Sequence, residues 1–545
     1  SLNAMATKPA AKSAEPANLP IDVGAAFRQH SILLIGATGF MGKATLALLL
    51  DRYPDLKKLY LLCRAKPGQT AEQRFYSETA ESPALAPSFR KLGPEVARAK
   101  VTVLEGDISE PLCGLSPAQL AQLKGEVGVI INSAGLVDFS PPLDESLATN
   151  VYGTRNSIQL ARSLDAKLVH ISTCYVAGIQ DGWVSEEDLI EGFYPKRNGP
   201  ADSSFDCEEE LKYCEKLIED ARQTWGSDSF QLRKELVRVG MERAQHWGWV
   251  NTYTYTKSLG EQFIVRAKDL TYAIVRPAIV GTAIRFPFPG WTEGFRTTAP
   301  LILMAAAGVK SWPVRKDAPL EIVPVDLVCA GMLIATAAVL HGRHHRIYQL
   351  GTADVNPVAL TRLVAFLGMY ARKINKNKPD GNKILNMAKA YIETRVVSEE
   401  ELKLQRALKR AALKLSQGSV GRLTQFFERK GLPGKERLRN WNRRLRVLSR
   451  EMAVREQTLD QYLPFMVHYR FIFESRNIRD TYAQLTAADK QRLVWDPENI
   501  DWADYWVHKH TKGIERWIRP EFIRVLKTPR ESKAKGTVVP SQESL

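Results

Sequence analysis

Tyr253 and Lys257 stand four residues apart in the run Asn251-Thr-Tyr253-Thr-Tyr-Thr-Lys257, a spacing that puts both on one side of a helix. A phenol needs help to give or take a proton near neutral pH, and a cation one helical turn away favours its ionised form. The third member of such a set is a hydroxyl at a strand end. The run His170-Ile-Ser172-Thr173-Cys174-Tyr-Val-Ala-Gly178 offers two, Ser172 and Thr173. Together these groups can hydrogen-bond a carbonyl oxygen and move a proton to or from it. Cys174 would need a base or an electropositive setting to become a nucleophile. Successive strand side chains point opposite ways, so a Thr173 aimed at the site turns Cys174 away from it.

Upstream, Ile32-Leu-Leu-Ile-Gly36-Ala-Thr38-Gly39-Phe40-Met41-Gly42 runs from a strand straight into a helix. Glycines at these positions let the backbone turn tightly and approach a pyrophosphate seated on the positive helix N-terminus. Thr38, Phe40 and Met41 lie in the same turn and are expected against the dinucleotide. The second strand ends at Leu61-Leu-Cys63-Arg64. An acid there would bond the ribose hydroxyls, whereas an arginine pairs with a 2′-phosphate, so Arg64, with Lys66 nearby, points to NADPH. Glu105-Gly-Asp107-Ile108 follows a strand and can set Asp107 against the adenine amine, with Ile108 beside it. In Asn132-Ser-Ala134-Gly135 the small residues Ala134 and Gly135 let the backbone come close to the dinucleotide. Tyr253 and Lys257 then fall beside the nicotinamide, the lysine holding its ribose.

The elements that must position these residues can be read from the same chain. Strands are expected at 31–35, 58–63, 100–104, 128–132, 167–172, 271–276 and 346–349, alternating with helical stretches. Several are nearly continuous apolar runs, as when helices cover both faces of a strand. That pattern predicts an α/β fold, a Rossmann-type doubly wound parallel sheet, over residues 31–355. Two inserts interrupt it: 205–247, charged and helical in period, and 283–320, rich in Pro, Gly and aromatics and expected as a wall or lid over substrate. Residues 356–527 read as a mainly helical C-terminal domain. Loose tails are expected at 1–30 and 528–545. With 44% hydrophobic and 25% charged residues the chain can bury a large core, which excludes a disordered protein. The apolar run 327–340 is too short to span a bilayer and reads as a buried helix. Six cysteines without paired spacing argue against zinc or disulfides and fit a cytoplasmic setting. His341, His344 and His345 lack partnering Cys or acids, so no metal is expected, and Cys207 and Cys214 read as packing residues. Of the net charge of +16, residues 401–450 hold a large share, with 15 Lys or Arg against 3 acids. Such a block suits a solvated helix face, an anionic membrane touched peripherally, nucleic acid or an acidic partner.

Trp249-Val-Asn251-Thr-Tyr253-Thr-Tyr-Thr-Lys257-Ser-Leu-Gly-Glu261 resembles the WPNTYxxTKxLxE signature of the alcohol-forming fatty acyl-CoA reductases, an extended branch of the short-chain dehydrogenase/reductase superfamily, with Val250 in place of the usual Pro. Ile322-Val-Pro-Val-Asp326 resembles their IPVD element. Arg276-Pro277-Ala-Ile279-Val280 resembles the RPxIV segment that flanks the nicotinamide, which implies cofactor contacts for Pro277 and Ile279. Ser475–Asp480, Ile500–Trp506 and Gly513–Ile518 resemble their C-terminal helical region, so the likeness covers most of residues 31–520. It implies Thr173, five residues before Gly178, as the catalytic hydroxyl beside Tyr253 and Lys257. It also implies NADPH-dependent reduction of a long-chain acyl-CoA, or an acyl carrier protein thioester, through an aldehyde to an alcohol. The C-terminal membrane anchor of some members is not expected here. Two rivals remain: a two-electron thioester reductase that releases aldehyde, and a non-catalytic dinucleotide- or RNA-binding protein. The complete Thr–Tyr–Lys set stands against the second, so no nucleic acid is expected; the oligomeric state is left open.

Overall fold

The computed structural model describes residues 19–294, 298–377 and 393–521. Seven strands form one parallel sheet: β1 (Ser31–Ile35), β2 (Leu59–Cys63), β3 (Val101–Glu105), β4 (Val127–Asn132), β5 (Lys167–Ile171), β6 (Tyr272–Pro277) and β7 (Ile347–Leu350). Their order across the sheet is β7-β6-β5-β4-β1-β2-β3, every neighbouring pair running parallel. All seven coincide with apolar runs expected as strands, to within a residue or so at each end. Because β1 pairs with β2 on one side and β4 on the other, the chain reverses its direction of travel there. A crevice opens at the carboxyl ends of strands at such a point, where α/β sheets bind ligands.

Helices cover both faces. In chain order the longer ones are α1 (Val23–Gln29), α2 (Phe40–Arg52), α3 (Gly153–Leu164), α4 (Cys207–Trp225), α5 (Phe230–Trp247), α6 (Thr252–Arg266), α7 (Val325–Leu340), α8 (Leu360–Lys376), α9 (Glu399–Lys430) and α10 (Lys435–Leu463). On one face α2 and α7 join a core that continues into the C-terminal half. On the other, α3 and α6 pack with α4 and α5, the charged insert. Helix α7 is buried along nearly its whole length, which explains its apolar composition. Among the described residues no helix is long and apolar enough to cross a membrane.

Residues 19–30 do not form the end of a loose tail as expected. Ile21 bridges to Leu485, α1 is capped by Asp22, and the Val23 N–H donates to Asp489 at 2.8 Å. Burial of Ile21, Val23, Ala26 and Phe27 holds the segment in place. Residues 1–18 and 522–545, which include the expected second tail, lie outside the described residues.

The C-terminal half is not free of strands either. Val358–Ala359 pairs with Pro319–Leu320, Arg395–Val397 with Ser311–Pro313, and Arg470–Phe473 with Asp181–Val184. Buried carboxylates reinforce the joint: Glu321 accepts the N–H groups of Thr352, Ala353 and Phe473, and Glu186 those of Gln349 and Asn477. The 283–320 insert is equally built in. Trp291 and Trp312 are fully buried, and Trp291 lies 4.9 Å from the Phe40 ring at the start of α2.

Candidate active site

The turn from β1 into α2 shows why its residues are glycines. Gly36 has φ +93°, and a Cβ there would meet the Ala134 nitrogen at 2.8 Å. A Cβ on Gly42 would lie 1.9 Å from the Gly36 carbonyl, so only glycine lets α2 start this close to the strand. Gly39 caps α2 with no side-chain bond to its first N–H groups. That leaves a helix N-terminus of positive character facing the sheet's carboxyl edge, where a pyrophosphate fits. Thr38, Phe40 and Met41 lie in and just after this turn.

The β4 end closes the other side. Asn132 orders it by accepting the Ala134 N–H at 3.2 Å, and Ser133 N–H donates to the Ile35 carbonyl. The buried Ser133 hydroxyl has no partner among the described residues. Asn150 holds the next residue, accepting the Leu136 N–H at 3.3 Å, and donates to the Thr256 hydroxyl of α6 at 3.1 Å. At the outer strand ends, Arg64 extends into solvent with its side chain 69% exposed, 4.0 Å from Asp107. Asp107 otherwise accepts from the Ser109 N–H and hydroxyl. Ile108 packs over Gly153, and Lys66 is engaged by Glu78 at 2.6 Å.

Lys257 joins the two motifs. Buried in α6, it donates to the Ile171 carbonyl at 3.0 Å, and a Cβ on Gly135 would lie 3.0 Å from its Nζ. The ammonium therefore sits between the ends of β4 and β5. Thr173 follows Ile171 by two residues in extended backbone, buried, its hydroxyl accepting the Tyr175 N–H at 3.3 Å. Tyr253, half-buried, is one turn toward the N-terminus of α6 from Lys257. Burial lowers the Lys257 pKa to about 8, with the Glu261 carboxylate pulling the other way. Pro277 ends β6 beside Leu350, and Ile279 begins a short strand paired with Ile322.

The chain belongs to the male sterility protein family. A profile of this NAD-binding family matches residues 34–332, which supports a nicotinamide dinucleotide as the cofactor. The chain is 28% identical over 502 residues to a probable fatty acyl-CoA reductase 5 of Arabidopsis thaliana, covering 89% of this chain and 97% of that protein. It is 29% identical over 501 residues to an alcohol-forming fatty acyl-CoA reductase of Simmondsia chinensis, covering 89% and 96%. Among solved structures, the reductase domain of a nonribosomal peptide synthetase from Mycobacterium tuberculosis aligns with a TM-score of 0.47 at 19% identity, over 86% of this chain and 87% of that one.

For this family member the structure also separates the two strand-end hydroxyls. Ser172 donates to Glu261 at 2.5 Å, and Glu261 takes three bonds from Arg276 on β6. Burial opposes the Arg276 charge, but the Glu261 carboxylate outweighs it and keeps the guanidinium protonated. Ser172 is thus spent on a buried ion pair one helical turn beyond Lys257, and Thr173 is left facing another way. Cys174 turns aside: its thiol donates to the Arg276 carbonyl at 2.9 Å, and burial pushes its pKa far up, the opposite of an activated thiolate.

Glu261 and Arg276 stand inside recognisable motifs, but their pairing is not legible in the sequence, and neither is the part played by Asn150. Equally hidden is an aromatic cluster beyond Thr173. Tyr175 packs edge-on against Phe465, Phe471 and Phe473 at 5.0–5.1 Å. Phe139, just past the β4 end, lies 5.8 Å from Tyr462 and 5.7 Å from Phe465. The C-terminal half thereby supplies an apolar wall next to the polar set. The only available signal was the aromatic richness of 462–473.

Proposed function

We propose that this protein reduces a long-chain fatty acyl-CoA with NADPH, through an aldehyde, to the primary alcohol. The observation that carries the proposal is the Lys257 ammonium, fixed by the Ile171 carbonyl against Gly135, on the helix of Tyr253 and at the strand end of Thr173. The relatives' names and the aromatic wall support an acyl substrate; Arg64 beyond β2 supports a 2′-phosphorylated dinucleotide.

A bound reduced nicotinamide supplies the hydride. Thr173 and Tyr253 donate hydrogen bonds to the thioester oxygen as negative charge develops on it. Donors already in place in a dry site stabilise such charge strongly, and removing one costs about 3–4 kcal/mol. Lys257 holds the nicotinamide ribose and its charge favours proton release from Tyr253. Collapse of the tetrahedral adduct breaks the C–S bond, expels the CoA thiolate, which takes its proton from solvent, and leaves an aldehyde. The same residues then serve a second reduction, in which Tyr253 delivers the proton that completes the alcohol.

The test supplies palmitoyl-CoA with NADPH and counts cofactor oxidised per CoA thiol released. The expected ratio is about two with hexadecanol as product, since each two-electron step consumes one reduced cofactor. A ratio near one with accumulated aldehyde would leave only a two-electron thioester reductase.

A further inference from the structure

Helices α9 and α10 form a long antiparallel hairpin that, apart from Tyr462 at its root, takes no part in the proposed catalysis. At 32 residues, α9 extends about 48 Å. The seam between the helices is polar: Arg406 meets Asp460 at 2.7 Å, Arg410 meets Glu456, Gln417 donates to the Leu445 carbonyl at 3.1 Å, and Arg439 meets Glu428 at 2.6 Å. Burial is concentrated at the root, in Leu402, Leu459, Tyr462 and Leu463.

The face of α9 turned away from this seam is apolar. Leu404, Leu408, Leu415 and Phe426 are 60%, 63%, 73% and 53% exposed. Their separations of 4, 7 and 11 residues bring them onto one narrow stripe at 3.6 residues per turn. Exposed apolar side chains singly need no explanation; three leucines and a phenylalanine in one line, with none of the described residues packed over them, do. Lys403 and Lys414 flank the stripe, Arg422 and Arg429 lie along it, and Trp441 on α10 is also exposed.

We infer that this stripe is a docking surface for an anionic lipid bilayer, with α9 lying in the interface plane. An apolar strip with a basic rim is the pattern of an interfacial helix, and the rim attracts acidic headgroups. The strip runs straight for about 33 Å from Leu404 to Phe426, which suits a flat surface better than a compact protein. A nucleic acid has no use for the leucines. A second copy of the chain would press one strongly basic rim onto another. The arm's root also bears on the candidate active site, since Tyr462 contacts Phe139, Phe465 contacts Tyr175, and Tyr175 lies two residues after Thr173. Bilayer contact would hold that end of the enzyme at the phase where acyl chains dissolve. The inference does not depend on the acyl-thioester reading.

The test is flotation of the full chain with vesicles of phosphatidylcholine alone or with about a third phosphatidylglycerol. The variant carries Leu404→Gln, Leu408→Gln, Leu415→Gln and Phe426→Gln, all surface changes to a good helix former. Expected are binding to the anionic vesicles, little to the neutral ones, and a loss of about tenfold or more in the variant, with an unchanged thermal melt. Equal binding by both proteins would overturn the inference, as would no binding by the unmodified chain. So would sedimentation in which the unmodified chain self-associates, the variant does not, and neither floats with lipid.

Discussion

Lys257 is a cation in a nearly dry place, and in the proposed mechanism its charge favours proton release from Tyr253. With burial drawing its pKa down to about 8, the ammonium is present below that pH and lost above it. We expect kcat/KM, which reports the free enzyme, to fall as pH rises through about 8. A profile flat well into the alkaline range would separate Lys257 from catalysis. For stability the sign is reversed. Above about 8 the unfolded lysine still binds the proton that the folded one has shed, so this group favours folding increasingly as pH climbs toward the ordinary lysine range. Residue types and spacing made Tyr253, Lys257 and the glycines legible in the sequence. The choice of Thr173 over Ser172 rested on resemblance, because what distinguishes them is Glu261, a residue 89 positions away from Ser172.

At the scale of elements, α6 is fastened to β5 and β6 through Ser172, Glu261 and Arg276. A buried ion pair adds little net stability but is costly to break, because the surviving charge stays buried. Arg276→Met is expected to destabilise the fold by about 3–5 kcal/mol, measured by denaturant unfolding. A loss below about 1 kcal/mol would mean the pair is a bystander. Most of the seven sheet strands were legible because they are covered on both faces and so read as nearly continuous apolar runs; the edge strand β3 is only partly buried. Val358–Ala359, Arg395–Val397 and Arg470–Phe473 were not. With two to four residues each, they are too short to show a period, and their partners lie far off in sequence. Ile21–Gln29 escaped for the same reason: its structure comes from α7, Gln484 and Asp489 rather than from its own propensity.

Taken whole, the molecule is two compositional halves bonded into one body. Phe473 and Asn477 end on Glu321 and Glu186, Arg285 reaches Asp496, and Tyr505 donates to the Thr282 carbonyl at 2.9 Å. A chain ending at residue 355 would expose the Tyr175 face and take one N–H donor from each of Glu321 and Glu186. It is expected not to yield a folded, dinucleotide-binding protein, by circular dichroism and cofactor titration. A soluble, cofactor-binding fragment with a cooperative melt would show that the reductase half stands alone. This dependence was invisible in composition, which separates the halves cleanly near Val355.

The rate of NADPH oxidation by Tyr253→Phe, with saturating palmitoyl-CoA and cofactor, tests the central claim most directly. In the proposed mechanism, removing the phenolic hydroxyl would delete one oxyanion donor and the proton source, while the ring and the cradle remain. Turnover is expected to fall by about 100- to 1000-fold. A variant that retains turnover within a few-fold of the unmodified enzyme would contradict it.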